Sequence, residues 1–341
     1  MIRAVSAALG VALLAAPASA ADAGWDKVVA AARQEGQLNL YAVNGGSDCI
    51  QKNLHDFTDK FGIKVQSLFA RGSELSERLD AERASGHYIA DMSWSGPPPT
   101  YAEEHNGMAV PLGPIPNRAH LLPGVGASDK QLPLFVDRQG ILVNTDEVKP
   151  ETELKSWQDL LAPRWKGKIM ADTFYINGQG STFFDITYSS KLLGAAWHQG
   201  LAKQNLRFNR DIAVNIGRIA QGEAAMYMPL AGQYLGDTKG LPIRFWVPEE
   251  GAPFYSDGMV VIDHAPHPNA ARVLINYLLD PGPQLACANA GVGPSVEGVL
   301  EHVTDPRMRA LESSKLLGEG NAAPDHVAAI LAAAKQIYQP N

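Results

Sequence analysis

The sequence predicts an α/β protein in which helices cover parallel sheets, and three observations support this class. Short apolar stretches of strand length alternate with longer stretches whose apolar residues recur at helical spacing. Short turns connect them, as in βαβ units. The chain has 341 residues, of which 45% are hydrophobic, so it can bury one large core or two ordinary ones.

The first hundred residues contain six elements in strict alternation. Gly36 ends the first predicted helix, since glycine is favoured just after a helix. Ile50, Leu54 and Phe57 share one face of the second helix, which Ser47 or Asp48 caps. The predicted helices span residues 25–35, 48–61 and 71–84, and the predicted strands span residues 38–43, 63–70 and 90–94.

The alternation of strands and helices stops in the middle of the chain and then resumes. Apolar segments at residues 132–136 and 141–143 flank a polar stretch, and a second α/β run begins after Pro150. No low-complexity linker separates the two runs, so strands are expected to join them. The second half contains predicted strands at residues 168–171, 224–228, 245–247 and 259–262. Its predicted helices span residues 156–161, 269–279 and 283–289, and three further helices begin at residues 181, 211 and 325.

The first twenty residues have the pattern of a secretory signal peptide. Arg3 precedes an uncharged run at residues 4–16, and Ala18 and Ala20 are small residues at the recognition positions. This pattern predicts cleavage before Ala21. No cysteine stands at that position, so the pattern indicates export to the periplasm without a lipid anchor.

Two cysteines, Cys49 and Cys287, remain in the exported chain. Export places them where thiols oxidise, so one long-range disulfide is one interpretation. Two buried free thiols are the other interpretation, because the sequence does not give their separation in space. No CxxC pattern indicates a metal or redox site.

Three glycine-rich turns each follow a predicted strand and precede a predicted helix. In an open parallel sheet such turns gather at the carboxyl edge, where ligands bind, and free N–H groups at helix starts favour anions. Arginines in or beside the turns could add bidentate contacts to a carboxylate or phosphate. These observations predict a site for a small organic anion that includes Ser47, Arg71, Gly72, Ser73, Arg138, Gly180, Ser181 and Arg210.

Aromatic and acidic residues near predicted strand ends complete the candidate site. Aromatic rings could stack on the ligand, although core packing is the more common role of such residues. The aromatic candidates are Trp94, Phe174, Tyr175, Tyr227 and Tyr255. A polyamine would need carboxylates in the cleft instead, and the candidates for these are Asp137, Asp172, Asp211 and Asp257.

The chain resembles the substrate-binding proteins of ABC importers, in the iron(III)-type or polyamine-type group with the type 2 periplasmic binding fold. The most specific segment is SWQDLLAPRWKGKI at residues 156–169, which is similar to the entry into the second lobe. GILVNTD at residues 140–146 resembles the strand after the first crossover, and APHPNAA at residues 265–271 resembles the return into the first lobe.

This resemblance implies two α/β lobes, each a central sheet flanked by helices, joined by two crossover strands and closing on a ligand. It divides the chain into a signal peptide (1–20), the first part of lobe I (21–137), lobe II (138–258), and the second part of lobe I with the C-terminal helices (259–341). It implies delivery of the small-molecule ligand to an inner-membrane ABC permease, with no reaction and no cofactor. We also expect a monomer.

Ferric iron is an alternative ligand within the same group. Iron-binding members typically have two adjacent tyrosines after the strand that here spans residues 224–228, because phenolate oxygens suit this hard ion. This chain has Tyr227 and Tyr234 instead, so only an irregular site with Glu74 would be available. The sequence therefore favours an organic anion over ferric iron.

A secreted hydrolase is the alternative from another functional class. His87, His105 and His198 could belong to a triad that is recognised by geometry and not by order, but none has a catalytic sequence context. A nucleic-acid partner is not expected, because the formal charge is −7 and no block of Lys or Arg occurs.

Overall fold

A computed structural model of the protein describes residues 20–43 and 47–339. Helices and strands alternate within this range, which confirms the predicted α/β class. The α-helices are α1 (Ala20–Glu35), α2 (Asp48–Phe61), α3 (Gly72–Ser85), α4 (Pro97–His105), α5 (Pro150–Glu153), α6 (Gln179–Ser189), α7 (Gly194–Ala202), α8 (Ile212–Ala220), α9 (Pro268–Leu278), α10 (Pro281–Asn289), α11 (Pro306–Glu312) and α12 (Pro324–Tyr338). The strands are β1 (Gln37–Ala42), β2 (Lys64–Phe69), β3 (Met92–Ser95), β4 (Ala109–Val110), β5 (Gln131–Asn144), β6 (Ile169–Ala171), β7 (Arg207–Phe208), β8 (Met226–Ala231), β9 (Ile243–Trp246), β10 (Ala252–Ile262) and β11 (Leu316–Glu319). Short 3₁₀ helices cover Pro116–His120, Trp157–Leu161, Pro163–Trp165, Gly232–Thr238 and Leu300–His302.

Two sequence predictions fall on residues without a described structure. Residues 1–19 of the predicted signal peptide lie outside the described residues, and Ala20 begins α1. Gly45 and Gly46 of the first glycine-rich turn also lie outside them. None of the helices in the described part of the chain is long and apolar enough to cross a membrane.

The first lobe is built on the strand order β2-β1-β3-β10-β5. β1 runs parallel to β2 and β3, with Leu40 opposite both Ser67 and Met92. β10 is antiparallel to β3 and β5. Helices α1, α3 and α9 contact β1, and its Leu38 and Leu40 are fully buried, as expected for a strand in a covered parallel sheet.

A disulfide between Cys49 and Cys287 joins α2 to α10. The two residues are 238 positions apart in sequence, and their Cα atoms lie 5.2 Å apart. The sequence allowed either a disulfide or two free thiols, and the structure contains the disulfide. The first turn of α2, directly after Ser47, is therefore covalently fixed to the C-terminal part of the lobe.

β5 is the strand that passes from one sheet to the other. Residues 131–138 pair with β10, whereas residues 139–143 pair with β8 and residues 141–144 pair with β9. The structure requires glycine at position 140, because a Cβ atom there would lie 2.5 Å from the Phe245 ring. The change of partners follows directly after the predicted boundary between residues 137 and 138.

The second lobe has the strand order β5-β8-β6-β7, and β6 is parallel to both of its neighbours. Its main core is rich in aromatic side chains, which fill the space between the sheet and helices α6 and α7. The large buried aromatic residues of this core are Trp157, Trp165, Phe174, Phe183, Phe184 and Trp197.

The C-terminal segment runs from the first lobe to the second. β11 pairs with β10 in the first lobe, whereas Ile330 and Ala334 of α12 belong to the second core. The Tyr338 hydroxyl lies 2.7 Å from Nδ1 of the buried His198. The predicted division assigned residues 259–341 to the first lobe. α12 differs from this prediction, because it packs on the second lobe after β11 has paired in the first.

Candidate functional site

A cavity of about 230 Å³ lies where the crossover strands meet the second lobe. Asp137 on β5 and Asp257 on β10 face it, and Ser47 borders it at the start of α2. Gln233, in the 3₁₀ helix that follows β8, lines it from the second lobe. The remaining lining side chains are apolar, namely Ile50, Phe135 and Val292.

Strand pairing explains why two carboxylates meet in this cavity. β5 and β10 are antiparallel, with Asp137 opposite Tyr255 and Phe135 opposite Asp257. Directly opposed residues share one face of a sheet, and so do residues two positions apart along a strand. Asp137 and Asp257 are therefore diagonal neighbours on the same face.

The carboxyl group of Asp137 has a strongly raised pKa in the cavity. Burial raises its pKa from 3.8 to about 7, the Asp257 carboxylate raises it further, and a hydrogen bond from Tyr255 lowers it in part. Its Oδ1 atom is buried without a hydrogen-bond partner. Asp137 thus exchanges its proton near neutral pH, where a cation could take the place of that proton.

A third carboxylate, that of Asp172, lies at the end of β6 in the second lobe. Its oxygens accept the N–H groups of Thr173 at 2.7 Å and Gly180 at 2.8 Å. The Nε atom of Arg210 lies 3.9 Å from Oδ1 of Asp172. This carboxylate therefore has three donors or cations around it already.

The start of α6 corrects the prediction of an anion site there. The N–H of Gly180 is occupied by the Asp172 carboxylate, which is an anion supplied by the chain itself. The Ser181 hydroxyl donates to the Gly178 carbonyl at 2.9 Å and accepts the Gly178 N–H at 3.0 Å. The N–H of Gly180 and the hydroxyl of Ser181 therefore both have hydrogen-bond partners within the chain.

The predicted arginine contacts are corrected in the same way, because each arginine has an acidic partner. Arg71 is exposed and makes a two-pronged contact with Glu74, with Nη2 and Nε at 2.7 and 3.0 Å from Oε1. Arg138 is buried against Glu312, and Arg210 lies beside Asp172. The predicted organic-anion site therefore has no unpaired arginine among its three candidates.

Gly72 and Ser73 are not among the residues that line the cavity. A Cβ atom at Gly72 would lie 2.8 Å from Pro99 and 2.9 Å from the Ser95 hydroxyl, so this glycine serves close packing of α3 against α4. Ser73 is exposed. Gly72 thus has a packing role, and the predicted ligand contact of Ser73 stays a prediction.

Most of the predicted aromatic contacts are core residues. Trp94 is 1% exposed and donates its indole N–H to the Val43 carbonyl at 3.0 Å. Tyr227 is buried in an apolar cluster with Ile216, and the Tyr175 ring packs against Phe208, which is partly buried beside the second core. Of the predicted aromatic residues, Tyr255 is the one that adjoins the cavity carboxylates.

Two residues that the sequence did not assign to the anion site belong to this region. Gln233 lines the cavity, and Tyr234 follows it. Burial raises the pKa of Tyr234, and the carboxylates of Asp137, Asp237 and Asp172 raise it further, so its phenol lies within electrostatic reach of both lobes. Asp211, by contrast, is an exposed cap whose Oδ1 accepts the Val214 N–H at 3.0 Å.

The Asp137 pKa gives a prediction for the ligand-free protein. A carboxyl whose folded pKa of about 7 exceeds its ordinary value of 3.8 holds a proton in the folded state that the unfolded chain has released. The free energy of unfolding should therefore fall as pH rises from about 4 to about 7. Asp137→Asn has no charge to bury, so we expect it to be more stable than the native chain at pH 8 by ~1 kcal/mol or more.

Chemical denaturation of both proteins between about pH 4 and pH 8 measures this difference. The stabilisation should shrink as the pH falls towards about 4, because Asp137 in the folded chain is then protonated and has no charge to bury. Asp129→Asn is the control, because that side chain is 93% exposed. An equal difference at both ends of the range would contradict the assignment.

Comparisons with known proteins add independent observations. A family model described as "Bacterial extracellular solute-binding protein" matches residues 52–310. The spermidine/putrescine-binding periplasmic protein of Escherichia coli is 28% identical over 162 residues, which is 45% of this chain and 46% of that protein. The corresponding protein of Salmonella typhimurium is 26% identical over the same length. The match thus spans about half the length of these relatives.

Solved structures resemble 89% of this chain. A Trichodesmium protein in complex with iron and citrate has a TM-score of 0.75, with 20% identity over 89% of this chain and 99% of that one. A spermidine/putrescine ABC transporter substrate-binding protein from Streptococcus pneumoniae has a TM-score of 0.69, with 16% identity over 89% and 98%. These likenesses confirm the two-lobed periplasmic binding fold.

Proposed function

Because the chain belongs to the bacterial extracellular solute-binding protein family, we propose that it captures a small organic amine of the polyamine class between its lobes. One observation carries this proposal. Asp137 and Asp257 face the same cavity, and the described residues that line it include no Lys, Arg or His. The proposal replaces the organic anion expected from the sequence.

The chemistry of the cavity supports an organic cation. Two neighbouring carboxylates repel each other, and burial disfavours their charged forms, so a bound cation would relieve both costs. An ammonium group can donate to the carboxylates, and the Gln233 side chain offers a further polar contact. The apolar side chains of Ile50, Phe135 and Val292 suit the methylene chain of an amine.

The names of the sequence relatives point in the same direction. The relatives from Escherichia coli and Salmonella typhimurium are spermidine/putrescine-binding proteins, although the match covers about half of each. They are binding proteins, which favours a binding function over the hydrolase alternative. His198 further weakens that alternative, because it is buried between Thr187 and Tyr338.

Ferric iron remains a second candidate, favoured by the phenols beside the carboxylates. Tyr234 and Tyr255 both lie near Asp137, and phenol and carboxylate oxygens are hard ligands. Glu74 does not join them, since it pairs with Arg71, whereas burial, Asp172 and Tyr234 raise the pKa of the nearby Tyr227 phenol. Among residues 20–43 and 47–339 no group of three His, Cys, Asp or Glu side chains is placed to hold a metal ion.

The mode of action follows from the fold. We propose that the lobes close on the amine by bending at the crossover strands β5 and β10. The liganded protein would then dock, as a monomer in the periplasm, on an ABC permease of the inner membrane. The predicted signal peptide supports this location.

Thermal unfolding of ligand-stripped protein with putrescine, spermidine, citrate or ferric citrate tests the proposal. A ligand at one hundred times its dissociation constant adds ~2.7 kcal/mol, so an amine should raise the midpoint by about 4 °C. A shift with citrate alone would restore the organic anion. A shift with ferric citrate alone, accompanied by the visible absorbance of an iron–phenolate bond, would establish the iron candidate instead.

A further inference from the structure

The buried ion pair between Arg138 and Glu312 lies behind the wall of the cavity. Arg138 follows Asp137 on β5, and successive side chains of a strand point to opposite faces. Asp137 faces the cavity, so Arg138 points away from it and meets Glu312 on α11. The side chains of the pair are 5% and 1% exposed. A carboxylate of the cavity and a buried cation are thus neighbours in sequence on opposite faces of β5.

Glu312 also packs against the loop that contributes Val292 to the cavity. A Cβ atom on Gly293 would lie 2.8 and 3.0 Å from the two carboxylate oxygens of Glu312, so the carboxylate occupies space that only glycine leaves. On its other side Gly293 accepts the Val136 N–H at 3.0 Å. Gly293 is therefore held between β5 and Glu312, directly after the residue that lines the cavity.

A third part of the wall is contacted by Leu311, the neighbour of Glu312 on α11. A Cβ atom on Gly232 would lie 2.6 Å from Cδ2 of Leu311 and 3.7 Å from the Arg138 carbonyl oxygen. Gly232 begins the 3₁₀ helix whose next residue, Gln233, lines the cavity. Three of the seven lining residues thus adjoin, in the chain, the ion pair or a residue packed against α11. These three are Asp137, Gln233 and Val292.

The ion pair is poorly suited to stabilising the fold. Moving two charges out of water costs free energy, which their attraction repays only where the remaining polar atoms also have partners. Among the described residues neither Nε of Arg138 nor Oε1 of Glu312 has a hydrogen-bond partner. Apolar side chains of similar volume often give equal or greater stability at such a place. They lack the fixed direction of a charge-assisted hydrogen bond, so direction is what the pair adds.

We propose that Arg138 and Glu312 are positioning residues for the amine site, and that their ion pair fixes α11 against β5 and so holds the cavity walls in the geometry that binds an ammonium group. This inference rests on the proposed amine-binding function. Ligand contacts must be held within about 0.5 Å, which requires supporting residues whose own conformations are fixed. Neither residue lines the cavity, so the pair acts through its neighbours in the chain.

Calorimetric titration with putrescine, together with thermal unfolding of the same ligand-free samples, tests the inference on the double variant Arg138→Met with Glu312→Leu. This variant keeps the net charge of the chain. Its affinity should fall about tenfold or more, whereas its unfolding midpoint should stay within about 3 °C of the native value or rise. A pair that only stabilised the fold would lower the midpoint and leave the affinity of the folded protein unchanged.

Two further variants complete the experiment. Arg244→Met with Glu151→Leu makes the same exchange in an ion pair whose side chains are 43% and 53% exposed, and should bind putrescine within about threefold of the native chain. Gly232→Ala leaves the buried charges in place and forces the 3₁₀ helix and Leu311 apart, so it should weaken binding about fivefold or more.

The outcomes distinguish this inference from the proposed function. Native protein that binds putrescine, with a double variant that binds it equally well, would overturn the positioning role and leave amine binding intact. If the double variant does not fold, native affinity in Gly232→Ala would overturn the role in its place. Native protein that binds no amine would overturn the proposed function, and the positioning role with it.

Discussion

Replacing Asp137 and Asp257 together by asparagine is expected to weaken putrescine binding about a thousandfold or more. Removing one partner of a buried, charge-assisted contact costs about 2–5 kcal/mol, and each 1.4 kcal/mol corresponds to a factor of ten in affinity. Asparagine keeps the shape of both side chains, so the cavity should persist while its charge is lost. Calorimetric titration of the ligand-stripped double variant measures the effect.

The single variants and a distant control complete this experiment. Asp137→Asn and Asp257→Asn alone should each weaken binding about thirtyfold or more, and the double variant need not be their sum because the two groups interact. Asp129→Asn removes a carboxylate from a side chain that is 93% exposed and should bind like the native chain. Native affinity in the double variant would place the ligand away from this cavity.

Much of the first lobe could be predicted from local patterns. The apolar run at residues 38–43 is the observed β1, and the helix predicted from Ile50, Leu54 and Phe57 is α2, with those residues buried. Such patterns repeat within a few residues, so they are visible before any tertiary contact is known. The position of α12 could not be predicted in this way, because its amphipathic pattern does not indicate which lobe it packs on.

The arginine predictions differ from the structure because sequence does not show ion-pair partners. Arg138 is buried against Glu312, 174 residues further along the chain, and a sheet crossing brings them together. The Arg71–Glu74 pair could have been predicted from the sequence, because residues three apart are neighbours in the first turn of a helix. Potential anion contacts therefore turned out to be internal ion pairs.

The acidic cavity did leave a signal in the sequence. Asp137 follows the apolar segment at residues 132–136, and a carboxylate at the end of a buried strand is costly unless it has a partner or a function. That residue was a candidate only for the polyamine alternative. Its meeting with Asp257 depends on the register between β5 and β10, which are more than a hundred residues apart and which no local pattern fixes.

Removing the disulfide with Cys49→Ser and Cys287→Ser is expected to lower the free energy of unfolding by about 2–5 kcal/mol. The bond joins residues 238 positions apart, so its loss frees a long loop in the unfolded chain. For a chain of this size the midpoint of thermal unfolding should fall by about 3–7 °C. Thermal unfolding of the variant, and of the native chain with and without reductant, measures this difference.

The same variant should also weaken ligand binding, because the disulfide lies beside the cavity. The Ser47 hydroxyl borders the cavity and lies 3.1 Å from the Cys49 sulfur, so the bond fixes the first turn of α2 next to the carboxylates. Ser47→Ala in the disulfide-bonded protein separates the two effects, since it removes the hydroxyl and leaves the helix anchored. If the bond orders the cavity wall, the loss of affinity in the cysteine variant should exceed that in Ser47→Ala. Unchanged affinity together with a lowered unfolding midpoint would limit the disulfide to stabilising the first lobe.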